Sequence, residues 1–160
     1  MKINILKKYQ LRVYFSQIEK RQGVCSMVYA EDKHMLLWDF DHISLRKLTG
    51  NLEFIQQKYN LPCIYIIKTS ISGYHAYCFT KEKLRKVIHI LSDTSGIDMA
   101  YLRLGMVRGY YTLRFSNREN DSLKLVKILP SKVPEKISPL DITTNEYFTT
   151  NKGVKKNAKR

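Results

Sequence analysis

Three aspartates, one histidine and a group of arginines are the residues of this chain best suited to chemistry. Asp39 and Asp41 end the apolar run Met35-Leu36-Leu37-Trp38-Asp39-Phe40-Asp41. Side chains alternate faces along a strand, so both carboxylates fall on one side and Trp38 and Phe40 on the other. Acids are rare at the end of so apolar a strand, because a buried charge is costly unless it is paired or metal-bound. Two carboxylates at i and i+2 can share divalent cations, as two-metal phosphoryl transfer requires. The plain alternative is a strand that runs into a polar turn, with Asp41 capping the helix that follows.

His75 follows the turn-forming Ser72-Gly73-Tyr74 and shares a strand face with Gly73 and Tyr77. It could hydrogen-bond a phosphate or bind a metal, or be a half-buried histidine satisfied by backbone. Asp98, in Gly96-Ile97-Asp98, is either a third acid or the cap of the next turn. Arg103, Arg108, Arg114 and Arg118 cluster in the next segment. Alternation sets Arg114 opposite the apolar Leu113 and Phe115, where a planar guanidinium suits bidentate phosphate binding. A solvated, salt-bridged face is the other reading of these arginines.

These side chains must be positioned by the elements around them. Residues 11–18 and 24–29 read as strands around a turn at 19–23, an N-terminal hairpin that extends the sheet. After a turn at 31–33 comes the Asp39 strand. Leu45, Leu48, Leu52, Ile55 and Tyr59 then recur at helical spacing, with Ser44 as N-cap and Asn60-Leu61-Pro62 as the stop. Residues 63–68 and 74–79 read as strands joined by turn chemistry at 69–73. Thr80 opens a second helix carrying Leu84, Val87, Ile88 and Leu91 on one face, which stops at Ser95-Gly96. Residues 99–109 read as a helical turn followed by a basic loop, and 110–116 and 123–129 as strands. Pro130, Pro134 and Pro139, then Lys155, Lys156, Lys159 and Arg160, indicate a linker and basic tail. The expected division is a domain over 1–130 and a tail over 131–160. The central order of strand, helix, strand, strand, helix, strand predicts an α+β fold. Its pattern is the split βαβ of ferredoxin-like and RNA-recognition-motif-like (RRM-like) cores, with helices on one face and the other open to ligand.

At 160 residues, with hydrophobic content of 44% and charged content of 26%, the chain suits an ordinary globular domain. No apolar run reaches the ~18 residues of a membrane span, and the start lacks a signal-peptide pattern, so the expectation is a cytoplasmic protein with no membrane partner. Cys25, Cys63 and Cys78 form neither a CxxC pair nor a zinc set and read as reduced, mostly buried residues. The net charge of +14 points to a polyanionic partner, nucleic acid or nucleotide. A plain RRM-like binding module would carry base-stacking aromatics on its central strands, whereas Asp39 and Asp41 would repel a phosphate backbone unless metal intervenes.

Taken together, Trp38-Asp39-Phe40-Asp41 resembles the DhD motif of the archaeo-eukaryotic primase superfamily, which includes the primase-polymerases. Gly73-Tyr74-His75 is similar to its small-x-His motif and Ile97-Asp98 to its hydrophobic-Asp motif. Asp98-Met99-Ala100-Tyr101-Leu102-Arg103 and Leu113-Arg114-Phe115-Ser116 resemble the family's path from third aspartate to Leu-Arg strand. The resemblance spans about residues 35–129. It implies a metal-dependent nucleotidyltransferase that adds nucleotides to a 3′-hydroxyl on a single-stranded DNA or RNA template. Asp39, Asp41 and Asp98 would hold two Mg²⁺ or Mn²⁺ ions. His75 would contact the phosphates of the nucleoside triphosphate, with Ser72 and Lys68 as neighbours, and Arg114 and Arg118 would steady the triphosphate. A helicase or other replication protein is a further expected partner. Two features depart from the family pattern: Gly73 stands where the motif has serine, and no zinc-module cysteines are present. The alternative is a catalytically weak nucleic-acid-binding or accessory subunit of a replication complex.

Overall fold

Strand pairing around the Asp39 strand sets the architecture. The computed structural model describes residues 2–5, 9–12, 18–28, 31–115 and 122–150, with side-chain environments over 22–28, 31–115 and 122–144. In chain order the elements are β1 (Lys2–Ile5), β2 (Tyr9–Arg12), β3 (Ile18–Val28), β4 (His34–Phe40) and α1 (Leu45–Tyr59). Then follow β5 (Ile64–Lys68), β6 (Tyr74–Glu82), α2 (Leu84–Asp93), α3 (Met99–Arg108), β7 (Thr112–Arg114) and β8 (Lys124–Leu129). A 3₁₀ turn (Pro139–Asp141) leads into β9 (Ile142–Thr150). The protein is α+β, with an antiparallel sheet in the order β7-β3-β4-β6-β5-β8 and β9 pairing with β3 off that path. Two units divide the chain: Met1–Arg21 with Glu146–Arg160, and Gln22–Asn145. In the first, β1 and β2 pair as a two-stranded sheet of their own.

The sheet face carrying Trp38 holds much of the core, and Leu37 and Tyr77 of the other face belong to the same buried cluster. Leu36, Trp38 and Phe40 of β4 are fully buried on the first face. Leu48, Leu52 and Ile55 of α1 and Val87, Ile90 and Leu91 of α2 complete the same cluster. The Trp38 indole N–H donates to Thr94 Oγ1 at 3.0 Å, tying β4 to the end of α2. Ser44 Oγ accepts from the Lys47 amide, and Asn60 ends α1 in the left-handed region at φ 49°, as the capping residues predict.

Register defines the second face. Leu37 lies opposite Tyr77 and Asp39 opposite His75. Tyr65 in turn lies opposite Tyr77, and Ile67 opposite His75. Directly opposed residues share a face, so Asp39, His75, Tyr77, Ile67 and Tyr65 form one surface away from Trp38 and Phe40.

Several sequence expectations are corrected. Residues 19–23 are not a turn but part of β3, whose ladder partners lie far along the chain: β7 sets Gly23 opposite Arg114, and β9 also pairs with β3. Thr80 lies in β6, which continues to Glu82 through pairing with His34, and α2 begins only at Leu84. Residues 99–108 are a full helix, stopped by Gly109 at φ 81°. Residues 131–145 belong to the Gln22–Asn145 unit. Lys136 N–H donates to the Phe79 carbonyl at 2.9 Å, and Ile137 is buried. Cys25 and Cys78 are buried and Cys63 half-buried. Among the described residues no helix is long and apolar enough to cross a membrane.

Candidate active site

The end of β4 is where the predicted site residues meet. β3 and β4 are paired at Met27 and His34, beyond which β3 pairs with β7. The β4 carbonyls are met instead by the start of α3. Asp98 N–H donates to the Asp39 carbonyl at 2.9 Å, and the Tyr101 hydroxyl to the Leu37 carbonyl at 3.0 Å. Asp98 is thereby fixed beside Asp39.

Asp39 and His75 face each other across β4 and β6. Oδ1 of Asp39 lies 3.6 Å from His75 Nε2, with side-chain exposures of 28% and 6%. That distance exceeds hydrogen-bond length, and the Asp39 carboxylate keeps part of its surface open to solvent. Burial, then repulsion from Asp41 and from Asp98, raises the Asp39 carboxyl to about 7, while Arg114 and the Phe40 amide pull it down. Three carboxylates and one guanidinium therefore act on each other at this point. Burial first, then the Asp39 charge, drives the Tyr101 phenol well up from its ordinary range.

Asp41, one residue past β4, is exposed. A side chain added at Gly73 would place its Cβ 2.6 Å from Ser70 Oγ, 2.9 Å from Thr69 Oγ1 and 3.3 Å from Asp41 Oδ1. Glycine at this position thus lets the 69–73 loop close against Asp41. The loop is pinned by Thr69 N–H to the Gly73 carbonyl at 3.0 Å, and to the Asp41 segment by Ile43 N–H to the Ser72 carbonyl at 3.3 Å. Arg114 is buried and donates from Nη2 to the Thr69 carbonyl at 2.8 Å, which places it on the same loop. Comparison with known family models, with curated proteins and with solved structures finds no match.

Asp39, Asp41, Asp98, His75 and Arg114 are thus brought together. Ser72 is at the rim, its Oγ 3.5 Å from His42 Nδ1. Lys68 is opposite Tyr74, which in turn lies opposite Phe40, so it occupies the helix-covered side of the sheet rather than the His75 side. Arg118 lies outside the described residues. Asp98 carries the capping role weighed for it: its Oδ1 accepts from the Ala100 amide at 2.7 Å and the Tyr101 amide at 3.4 Å.

Three neighbours carried no clear sequence signal. Thr69 contributes its carbonyl, a group every residue has. Tyr101 supports β4 from α3. His42 adopts φ 55°, an uncommon left-handed backbone beside Asp41 of the kind concentrated at functional sites.

The donor set has the chemistry for a hard divalent cation, since mutually repelling carboxylates are relieved by one. No group of three or more His, Cys, Asp or Glu among the described residues is arranged to hold a metal by itself. Mg²⁺ is commonly held by one or two carboxylates together with substrate phosphates and water. Asp39 and Asp41 fit that mode. Asp98 can join through the oxygen its capping bonds leave over.

Proposed function

We propose that the protein is a metal-dependent nucleotidyltransferase of the primase-polymerase kind, extending a 3′-hydroxyl along a single-stranded template with nucleoside triphosphates. The observation supporting this reading is the meeting of Asp39, Asp41 and Asp98 with His75 and Arg114 at one end of β4. The sheet order β4-β6-β5 with α1 and α2 on one face fits a split βαβ, RRM-like core into which β3 is inserted between β4 and β7.

In this reading Asp39 and Asp41, joined by Asp98 through the oxygen its capping bonds leave over, hold Mg²⁺ or Mn²⁺ together with the substrate phosphates. When bound, the ions supply charge neutralisation at the reacting phosphate and lower the hydroxyl pKa. His75 and Arg114 orient the triphosphate. Arg114, held by the Thr69 carbonyl, presents a fixed positive charge, so positioning and electrostatics carry the catalysis without a covalent nucleophile.

A specific observation favours a second reading, nucleic-acid binding without catalysis, as in an accessory subunit of a replication complex. Tyr65 and Tyr77 share the His75 face by register, and Phe79 joins Tyr65 with ring centroids 5.4 Å apart. Aromatics on central strands can stack bases.

The deciding experiment is nucleotide incorporation on primed and bare single-stranded templates with Mg²⁺ or Mn²⁺. Incorporation that disappears in the Asp39→Ala/Asp41→Ala double variant is the expected result. No incorporation by wild type, with salt-sensitive template binding retained in the double variant, selects the binding module.

A further inference from the structure

We infer that the outer face of α3 is a docking surface for an acidic amphipathic helix of a partner protein. The inference stands apart from the nucleotidyl-transfer reading. Surface helices normally turn polar residues outwards, yet α3 exposes Met99 at 53%, Leu104 at 47%, Met106 at 49% and Val107 at 85%. Its inward side is short of apolar bulk, with Leu102 and Gly105 as the buried residues. At 3.6 residues per turn, Ala100, Arg103, Leu104 and Val107 form the centre of the outer face, with Met99 and Met106 on one flank and Arg108 on the other. An exposed apolar patch of this kind marks an interaction surface, and methionines let it adapt to a partner's shape.

The helix is anchored at both ends and on its inner side. Asp98 caps its start, and the Asp98 amide and Tyr101 hydroxyl anchor it to β4. Gly105 seats it on the Tyr111 ring, and Gly109 closes its end. Preorganisation of this sort reduces the ordering cost of association.

Charge selects the occupant. The α3 sequence Met-Ala-Tyr-Leu-Arg-Leu-Gly-Met-Val-Arg contains no acid, and its exposed Arg103 and Arg108 are part of a chain with a net charge of +14. A second copy would set arginine against arginine across a two-fold axis. Phosphates would meet the two arginines but gain nothing from Met99, Leu104, Met106 and Val107. A helix with apolar side chains at i, i+3, i+4 and i+7, flanked by Asp or Glu, satisfies both features of the surface.

The test uses the full chain and a fluorescein-labelled peptide of roughly sixteen residues, about four helical turns, with leucines in that pattern and glutamates on the flanks. A second peptide of equal composition has its leucines permuted out of register. Protein variants are Leu104→Glu/Val107→Glu and Arg103→Glu/Arg108→Glu, with folding checked by circular dichroism. The expected result is anisotropy binding of the patterned peptide that weakens about tenfold or more for the permuted peptide and for either variant. Absence of binding, equal affinity for both peptides, or binding unchanged by Leu104→Glu/Val107→Glu overturns the proposal. So do two alternative outcomes: sedimentation with phosphatidylserine vesicles that these variants abolish while no peptide binds, or a dimer in light scattering that Val107→Glu dissociates.

Discussion

The Asp98 backbone N–H donates to the Asp39 carbonyl at 2.9 Å, joining the start of α3 to the edge of β4. The same aspartate caps α3 through Oδ1. Its carboxylate thus has a structural duty whether or not it serves chemistry, and two substitutions separate them. Asp98→Asn keeps a good capping side chain and removes the charge. Asp98→Ala removes both and is expected to cost about 1 kcal/mol of stability. If Asp98 helps hold cations, Asp98→Asn leaves the urea midpoint near wild type yet lowers incorporation at least as far as Asp98→Ala does. Equal activity of Asp98→Asn and wild type assigns the residue to capping alone.

Asp39 makes stability depend on pH. Its carboxyl ionises at an ordinary value of 3.8 when unfolded and at about 7 when folded, raised by burial and by Asp41 and Asp98. Between those values the folded state holds the extra proton, so its stability falls as pH rises through that window. At about 1.4 kcal/mol per tenfold, the loss is at most about 4 kcal/mol. Urea unfolding of Asp39→Asn should match wild type near pH 4 and show greater stability than wild type at pH 8. A wild-type stability that stays level from pH 4 to 8 would remove the basis for the raised carboxyl.

Arg114 acts on the same carboxyl in the opposite sense. Arg114→Gln should move the Asp39 midpoint above its wild-type value in a carbon-13 carboxyl titration. It also takes a charged donor from the Thr69 carbonyl, and weakening a buried hydrogen bond of this type costs about 1–3 kcal/mol. An unchanged midpoint would mean that the guanidinium does not reach Asp39 in solution.

How much of this could be read beforehand depends on which interactions are local. The β4 and α1 segments were legible because alternation, Ser44 and Asn60 are near neighbours of the residues they control. The closeness of Asp39 and His75 was implied only by the family resemblance, since it rests on a β4–β6 register that no local pattern encodes. Lys68 shows the same dependence: strand parity relative to Tyr74 sets it on the helix-covered side, away from His75. Extension of β3 through residues 19–23 depends on partners distant in sequence, β7 and β9, and α3 shows no apolar stripe because it turns apolar residues outwards. Asp98 was visible as an acid and as a cap, and the structure gives it the cap directly.

Cation binding should appear as stabilisation separate from activity. At pH 8, Mn²⁺ at ten times its dissociation constant stabilises the folded state by about 1.4 kcal/mol if it binds only there. The rise in melting temperature is expected for wild type and absent for Asp39→Asn/Asp41→Asn. Equal rises in both proteins would place the binding elsewhere.

Gly105 offers a test of how α3 is seated. A Cβ built there would collide with Cε1 and Cδ1 of the Tyr111 ring. Tyr111 has little room to yield, because it is 1% exposed and its hydroxyl donates to the Leu102 carbonyl at 3.3 Å. Gly105→Ala would gain about 1 kcal/mol of helix propensity on an open surface. Here overpacking opposes that gain, at a typical cost of about 1–3 kcal/mol. The expected outcome is net destabilisation in urea, with weaker hydrogen-exchange protection along α3. Relief of the clash by Gly105→Ala/Tyr111→Leu, measured as recovery relative to Tyr111→Leu alone, would confirm ring contact as the cause. If Gly105→Ala is instead stabilising, α3 does not rest on Tyr111, and the anchored helix face that opposes the Asp39 edge must be drawn differently.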